Sequence, residues 1–309
     1  MIYTCTMNAA IDMYVEVDEM KPNAVNRTND EDYQANGKGI NVSIMLKKLG
    51  IESTALGFIA GFTGAYIEDF LSESGIQSDF VYADGTTRIN VFINAESEYK
   101  IVNQGPHIKV SEQEALLNGI KAIPGGSTLV VSGSLPRGVP ESVIVEIAEV
   151  CKMNNVKLVL DTSVSSVWDT LTYEPYLLKP NEEELANLYH QTRKLTEQEI
   201  IKYGKDLLKR GAQHVIVSRG KEGSIYVSKE RLLKATSPQG TVVNTACSGD
   251  TMLAAFMAKK QQHESLENAL KYASAVGAST AFSRGLSNLK DIAALQKEVN
   301  VYQMKEEIT

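Results

Sequence analysis

The sequence has few cysteines and no long apolar run. Cysteine occurs 3 times in 309 residues, at Cys5, Cys151 and Cys247, and no two of them form a C-x-x-C pair. This pattern excludes a disulfide framework and favours reduced thiols in a cytoplasmic protein. No stretch approaches the roughly 20 apolar residues that a membrane-spanning helix needs. The chain starts without the basic and apolar regions of a signal peptide, so we expect no membrane association.

The sequence also has fewer basic than acidic residues and few histidines, and both features narrow the ligands and partners that we expect. Lys and Arg number 31 against 38 Asp and Glu, which leaves a net charge of −7. That balance disfavours nucleic acid and anionic membranes as main partners, and it is compatible with a local basic site for a small anion. The 4 histidines are scattered and show no metal-ligand spacing.

Short apolar runs alternate with longer amphipathic segments along the chain. The runs that predict buried strands are residues 2–6, 53–58, 127–132, 156–161, 176–179 and 213–218. The segments that predict helices are 40–49, 65–74, 111–123, 140–154, 182–189 and 197–210. This alternation predicts a single α/β domain over residues 1–309, with a mostly parallel central sheet and helices on both faces.

Three segments break the alternation. Residues 11–18, 26–34 and 87–103 alternate polar and apolar side chains. Strands with this period and one polar face are typical of an antiparallel sheet that lies outside the central one. We therefore predict a small β-sheet lid, inserted from about 11–35 and 87–104.

The stretch 244–256 carries the strongest chemical pattern. Cys247, Ser248 and Gly249 form a small-residue turn before Asp250, and the apolar run that follows predicts a buried helix. Free amides at a helix start bind anions, and Asp250 in the same turn is placed to accept a proton. An anion site beside a base suits phosphoryl transfer. The alternative is an acidic residue that only caps the helix.

Several predicted strands end in polar turns. Open α/β sheets bind ligands at the carboxyl ends of their strands, so four such turns together predict a shared cleft. These turns are 132–138, 161–163, 179–184 and 218–223. A glycine turn at 36–41 opens another helix, and its Lys38 suits a phosphate, although the P-loop pattern is absent. The alternative there is an ordinary glycine turn with a solvated lysine.

Two sets of side chains are ambiguous by spacing alone. Asn181 and Glu184 stand at a predicted helix start, where they suit either Mg²⁺ or helix capping, and spacing alone favours capping. Four cations make a phosphate site only if the fold brings them together, and singly each is typical of a solvated surface charge. These cations are Arg27, Lys38, Arg88 and Arg137.

Seven motifs in order along nearly the whole chain carry a resemblance. They are Asn8-Ala-Ala-Ile-Asp12, Asn26-Arg27, Gly37-Lys38-Gly39-x-Asn41, Thr87-Arg88, Ser132-Gly-Ser-Leu-Pro-x-Gly138, Lys179-Pro-Asn181-x-x-Glu184 and Ser218-x-Gly220-x-x-Gly223, and Gly249-Asp250 follows them. Together they resemble the ribokinase-like sugar kinases. The match is to the phosphofructokinase B branch, which holds 1-phosphofructokinases and tagatose-6-phosphate kinases.

The resemblance implies a role for each matching residue. Asp250 is expected to be the catalytic base, with an anion hole from the amides of Cys247, Ser248, Gly249 and Asp250. ATP is expected at Lys179, Asn181, Ser218, Gly220 and Gly223, and Mg²⁺ at Asn181 and Glu184, mainly through water. The sugar is expected at Asp12, Gly37, Lys38 and Asn41, and its phosphate at Arg27, Lys38, Arg88 and Arg137. The branch also implies a homodimer through the lid.

The sequence departs from the family pattern at five positions. Cys247 replaces the first glycine of the anion-hole turn, where a positive φ would strain or reshape the turn. Asn36 replaces the first glycine of the lysine-containing turn, and asparagine tolerates left-handed geometry better than most residues. Ala9 replaces a proline, and Val164 and Ala255 replace glycines. Because the charged residues remain, we expect an active kinase with a lower rate or a shifted substrate preference.

The expected reaction is ATP-dependent phosphorylation of a phosphorylated ketohexose. Fructose 1-phosphate, giving fructose 1,6-bisphosphate, is the first choice, and tagatose 6-phosphate is the second. Other hypotheses are a kinase for an unphosphorylated sugar or nucleoside, and a catalytically weak sugar-phosphate sensor on the same fold.

The thiol of Cys247 supports a separate hypothesis. A cysteine beside a helix N-terminus is expected to have enhanced thiolate character and hence sensitivity to oxidation. The favoured alternative is a buried small residue without redox chemistry.

Overall fold

The structure of the chain is a computed structural model that describes residues 1–304. Its strands are β1 Ile2–Thr6, β2 Ala10–Glu16, β3 Asp30–Asn36, β4 Ser53–Ala60, β5 Gln77–Ala83, β6 Arg88–Asn94, β7 Glu98–Ile101, β8 Thr128–Ser132, β9 Lys157–Asp161, β10 Leu177–Leu178, β11 His214–Ser218, β12 Ser224–Ser228, β13 Leu232–Ala235 and β14 Val301–Gln303. Its helices are α1 Lys38–Lys48, α2 Gly61–Glu73, α3 Val110–Lys121, α4 Ser142–Met153, α5 Val167–Thr170, α6 Glu182–Leu188, α7 Glu197–Arg210, α8 Ser248–Gln261, α9 Leu266–Ala281 and α10 Ile292–Glu298. The assignment of residues 1–309 to one domain stays a prediction, and residues 305–309 lie outside the described part.

A ten-stranded central sheet confirms the predicted architecture. Its strand order is β14-β13-β12-β11-β10-β9-β8-β1-β4-β5. Every neighbouring pair from β5 across to β11 is parallel, and only the β12, β13 and β14 edge is antiparallel. The parallel strands bury both faces, which explains their uninterrupted apolar runs. Their carboxyl ends therefore meet at one edge, where the polar turns of the sequence collect.

Helices cover both faces of the sheet, as predicted. One buried cluster includes side chains of α3, α4 and α7, and a second includes side chains of α1, α8 and α9. Helix α8 is buried continuously from Asp250 to Ala258, as its apolar run predicts. No helix within residues 1–304 combines the length and apolar character needed to cross a membrane.

A separate four-stranded sheet, which we call the lid, has the order β3-β2-β6-β7. Strands β2 and β3 pair antiparallel, as do β6 and β7, but β2 and β6 pair parallel. The prediction of an antiparallel sheet was therefore wrong for the central pair. The reason lies in the main sheet: β2 follows β1 and β6 follows β5, and β1 and β5 run in the same direction there.

Glycine is required where β4 passes the end of β1. Gly57 has φ +139, and a Cβ at this position would lie 1.9 Å from the carbonyl oxygen of Thr6. The strand ending at Thr6 leads directly into the lid, so this close approach also sets where the lid leaves the sheet.

We expect Gly57→Ala to lower the free energy of unfolding by about 3 kcal/mol, because the methyl group overlaps backbone and the φ disfavours L-residues. Gly119→Ala is the matched control, since Gly119 lies within α3 with no neighbouring atom within 4 Å of the added Cβ. That control should stabilise the protein by about 0.5–1 kcal/mol. Urea denaturation measures both changes, and an unchanged midpoint for Gly57→Ala would contradict the assignment.

Candidate active site

The start of α8 is a small-residue turn suited to binding an anion. Cys247 is its N-cap residue, with φ 63 in the left-handed region and no side-chain capping bond. The Ser248 amide donates to the carbonyl oxygen of Thr245 at 3.4 Å, whereas the next first-turn amides, those of Gly249 and Asp250, have no intrahelical partner and suit an anion. The buried hydroxyl of Ser248 also lacks a hydrogen-bond partner. Both features fit a bound phosphoryl group.

Asp250 lies in the same first turn and is buried. Its Oδ2 accepts a hydrogen bond of 2.9 Å from Nδ2 of Asn41 on α1. Burial raises the pKa of the Asp250 carboxyl to about 6, and the negative charge of Asp161 acts in the same direction. A carboxylate with this pKa is ionised near neutral pH and is a stronger base than an ordinary aspartate.

Two lysines and a buried aspartate form the charged base of the site. Asp161 ends β9, and its Oδ1 lies 3.2 Å from Nζ of Lys179 and 3.3 Å from Nζ of Lys38. Burial alone would raise the pKa of Asp161, but the two ammonium groups outweigh it and lower that pKa. A Cβ at Gly249 would lie 3.3 Å from Nζ of Lys179, so this ammonium is beside the α8 turn. Positive charge and free amides thus face the same space.

The lid supplies the other wall of the site. Asp12 on β2 accepts hydrogen bonds from Nδ2 of Asn90 on β6, at 2.8 Å, and from Nδ2 of Asn36 on β3, at 2.6 Å. Burial raises the pKa of Asp12, against the opposing effects of Asn90 and the positive charge of Arg88. Three neighbouring lid strands therefore hold one carboxylate in a fixed orientation.

The four predicted phosphate-binding cations have different contacts in the structure. The Arg88 guanidinium donates to the carbonyl oxygens of Asn8 and Asn103, and its Nε is buried without a partner. Arg137 donates to the carbonyl oxygen of Gly105, so Arg88 and Arg137 both flank the segment 103–105. Lys38 instead contacts Asp161 and Glu184, and Arg27 is exposed in the loop between β2 and β3.

Asn181 and Glu184 form a capping box, the arrangement that spacing alone favours. Oδ1 of Asn181 accepts from the Glu184 amide at 2.7 Å, and Oε2 of Glu184 accepts from the Asn181 amide at 2.8 Å. The remaining Oε1 of Glu184 lies 3.5 Å from Nζ of Lys38. With these oxygens partnered, the pair fits a metal held through water rather than by direct bonds. No group of three His, Cys, Asp or Glu side chains within residues 1–304 is arranged to hold a metal directly.

The remaining predicted residues lie at or just after the ends of β3 and β11. Ser218 at the end of β11 forms an isolated parallel β-bridge with Asn181, the N-cap residue of α6. Gly220 has φ 54 and open space around it, as a surface that admits a ligand requires. Gly223 has φ 85, and a Cβ there would lie 1.9 Å from the carbonyl oxygen of Ala235. Gly37 is the N-cap residue of α1 and has φ 134. A Cβ there would lie 2.5 Å from Cγ2 of Thr6.

Sequence reasoning missed three residues of the site. Asp161 was noted only as part of a polar strand end, although it pairs with two site lysines. Asn90 and Asn36 were not assigned a function, although both bind Asp12. The period-two pattern of the lid would have placed Asn90 on the polar face beside Asp12. No local pattern predicts the contact of Asn36.

The less favoured hypothesis for Cys247, enhanced thiolate character, is contradicted. Burial raises the pKa of the Cys247 thiol to about 12, and the negative charge of Asp250 adds to this effect. The thiol is therefore neutral, although it sits at a helix N-terminus. The positive φ that the family glycine implies at this position is confirmed.

Comparison with known proteins gives concordant matches. The profile of the pfkB family carbohydrate kinases matches residues 3–293. A D-tagatose-1-phosphate kinase of Bacillus licheniformis is 51% identical over 301 residues, 97% of this chain and 99% of that protein. A 1-phosphofructokinase of Bacillus subtilis is 36% identical, over 98% of this chain and 100% of that protein.

A solved structure confirms the predicted ribokinase-like fold. Phosphofructokinase-2 from Escherichia coli, in complex with substrates and products, has a TM-score of 0.88 and 25% identity. The match covers 96% of this chain and 98% of that one. With its family profile, its relatives and its fold in agreement, this chain belongs to the pfkB family of carbohydrate kinases.

Proposed function

We propose that this kinase transfers the γ-phosphoryl group of ATP to the C6 hydroxyl of a ketohexose 1-phosphate. The observation that carries the proposal is Asp250, a buried base beside the free amides of α8 and the ammonium groups of Lys38 and Lys179. A base, an anion hole and compensating positive charge are the parts that phosphoryl transfer requires.

The proposed mechanism uses each of these groups once. The sugar, held by Asp12, presents its free primary hydroxyl to Asp250, which accepts the proton as the oxygen attacks phosphorus in line. The bond between the γ-phosphorus and the bridging oxygen breaks, and ADP leaves. The α8 amides stabilise the charge that develops on the transferred group, and Lys38 and Lys179 neutralise the polyphosphate.

The proposal includes a Mg²⁺ ion because the side chains present fit one. Glu184 and Asn181 would hold the ion through water, beside Lys38. When bound to the nucleotide, the ion neutralises phosphate charge. Arg88 and Arg137, which flank the segment 103–105 at the edge of the lid, are the proposed contacts of the sugar's own phosphate.

The relatives order the substrate candidates. Both relatives are named for a ketohexose with its phosphate on C1. Of the two, the tagatose-1-phosphate kinase is more similar to this chain, at 51% against 36% identity. We therefore place tagatose 1-phosphate first and fructose 1-phosphate second. Tagatose 6-phosphate, whose phosphate occupies the opposite end, follows them.

The three free cysteines support a cytoplasmic location.

Coupled ADP release with each sugar phosphate tests the function. We expect turnover with a ketohexose 1-phosphate, loss of activity on chelation of Mg²⁺, and a drop of at least about 10³-fold in kcat for Asp250→Asn, because the base is lost. Isothermal titration with the same sugars is the companion measurement. Sugar-phosphate binding without turnover by the unmodified protein would favour the sensor hypothesis instead.

The pH profile tests the role of Asp250 more directly. We expect kcat to fall about tenfold per pH unit below a midpoint near 6, because the base must be deprotonated. Asp161→Asn should move this midpoint to lower pH, because it removes a negative charge that raises the pKa of Asp250. The substrate phosphate titrates equally in both proteins, so it cannot cause that difference. Identical midpoints would contradict the assignment.

We also propose a homodimer through the outer face of the lid. Tyr33, Met13, Val91 and Ile101 align in one row across all four lid strands. Tyr33 and Ile101 are 48% and 51% exposed, which is high for apolar residues in a sheet. A second copy that pairs with this face would remove the row from water.

Ile101→Glu tests this interface, because a charge in the row should raise the dimer dissociation constant by at least about 100-fold. Lys100→Glu is the matched control, since Lys100 is the neighbouring residue on β7 and points to the opposite face. Sedimentation velocity should give a monomer for the first variant and a dimer for the second. A monomeric unmodified protein would rule out the proposed interface.

A further inference from the structure

Two of the departures from the family pattern meet in the active site. Asn36 ends β3 of the lid, and Cys247 caps α8, 211 residues later in the sequence. Nδ2 of Asn36 lies 3.9 Å from Sγ of Cys247, and Nδ2 of Asn41 lies 3.1 Å from the same sulfur. Two positions that the family pattern leaves without side chains therefore carry side chains that lie next to each other and beside Asn41.

Asn36 also completes a chain of hydrogen bonds between the two carboxylates of the site. Its Nδ2 donates to Asp12, and its Oδ1 accepts from Nδ2 of Asn41 at 2.9 Å. Asn41 in turn donates to Asp250. The sugar-facing carboxylate and the base are thus joined through two carboxamides, and Asn36 is the member that the lid contributes.

In this chain of hydrogen bonds, the donor hydrogens can be counted against their acceptors, and one N–H group remains available to a ligand. Nδ2 of Asn41 has two hydrogens but three acceptors within 3.1 Å, namely Asn36, Asp250 and Cys247. Nδ2 of Asn36 has one hydrogen on Asp12, and its second faces only the distant sulfur. A sulfur at 3.9 Å is a poor acceptor, so this second hydrogen can bind a substrate hydroxyl instead.

Cys247 contributes shape rather than chemistry. Its backbone is in the left-handed region, which disfavours L-residues, and its neutral thiol is a weak hydrogen-bonding group. Its side chain occupies the space opposite Asn36. Asn36 thus lies beside Asp12, and Cys247 lies beside Asn41, the donor to Asp250.

We infer that Asn36 and Cys247 together form a specificity element that distinguishes the C4 epimers of a ketohexose 1-phosphate. This inference rests on the proposed function. Tagatose and fructose differ only in the configuration at C4, so one epimer presents its C4 hydroxyl to the free hydrogen of Asn36 and the other turns it away. Cys247 narrows the pocket so that the sugar cannot shift to compensate. Discrimination by one hydrogen bond and one close contact amounts to about 10- to 100-fold.

The test compares kcat/KM for tagatose 1-phosphate and fructose 1-phosphate in the full chain. The variants are Asn36→Gly, Cys247→Gly and the double substitution. The ratio is kcat/KM for the preferred epimer divided by kcat/KM for the other epimer. We expect this ratio to fall at least about tenfold in the double variant. The effects of the two single substitutions should not multiply, because both side chains contact Nδ2 of Asn41. Asn155→Gly is the matched control: Asn155 has φ 54 in the turn before β9, at the opposite end of the sheet, and its ratio should not change.

The outcomes separate the two proposals. Turnover by the unmodified protein together with a ratio that stays within twofold in the double variant would overturn this inference alone. No turnover of either sugar by the unmodified protein would overturn the proposed function and the inference with it. Thermal melting checks that each variant folds, and Asn36→Ser replaces Asn36→Gly if the latter does not. Asn36→Ser shortens the side chain and removes the amide hydrogen, so the same fall in ratio is expected.

Discussion

The active site depends on one buried negative charge held between two lysines. Asp161 is fully buried, and Lys38 and Lys179 both contact its Oδ1. A buried carboxylate without such partners would be strongly unfavourable, and so would the nearly buried ammonium of Lys179 without the carboxylate. The three residues come from α1, β9 and the end of β10, so the ion pairs also fix how these elements meet. The lysines lower the pKa of Asp250 while Asp161 raises it, and the base is tuned between them.

The lid is tied to this centre by side chains rather than by packing alone. From Asp12, hydrogen bonds continue through Asn36 and Asn41 to Asp250. The position of the lid and the orientation of the base are therefore linked through neutral carboxamides. Such groups transmit orientation without adding charge, which suits a site that must also bind an anionic nucleotide and an anionic sugar.

Local patterns in the sequence predicted much of the fold. The bounds of β1 and α7 agree with the predicted ones residue for residue, and the apolar run after Asp250 forms the buried helix α8. These features depend on side-chain periodicity and on short-range capping, as in the capping box of Asn181 and Glu184. The family resemblance predicted Asp250, Lys38, Asn41 and Asp12 for one site, and in the structure Asp12 is linked to Asp250 through Asn36 and Asn41.

What the sequence determined by itself was the order of elements, the buried faces, and the chemical groups carried by each turn. Tertiary structure alone decided the parallel pairing in the lid, the ion pair of Lys38 with Asp161, and the position of Asn36 beside Cys247. It also decided that the Cys247 thiol is neutral, since burial and the negative charge of Asp250 raise its pKa. The physical reason is range: hydrogen bonds within a turn depend on neighbours in sequence, whereas desolvation and charge pairing depend on residues that only the folded chain brings together.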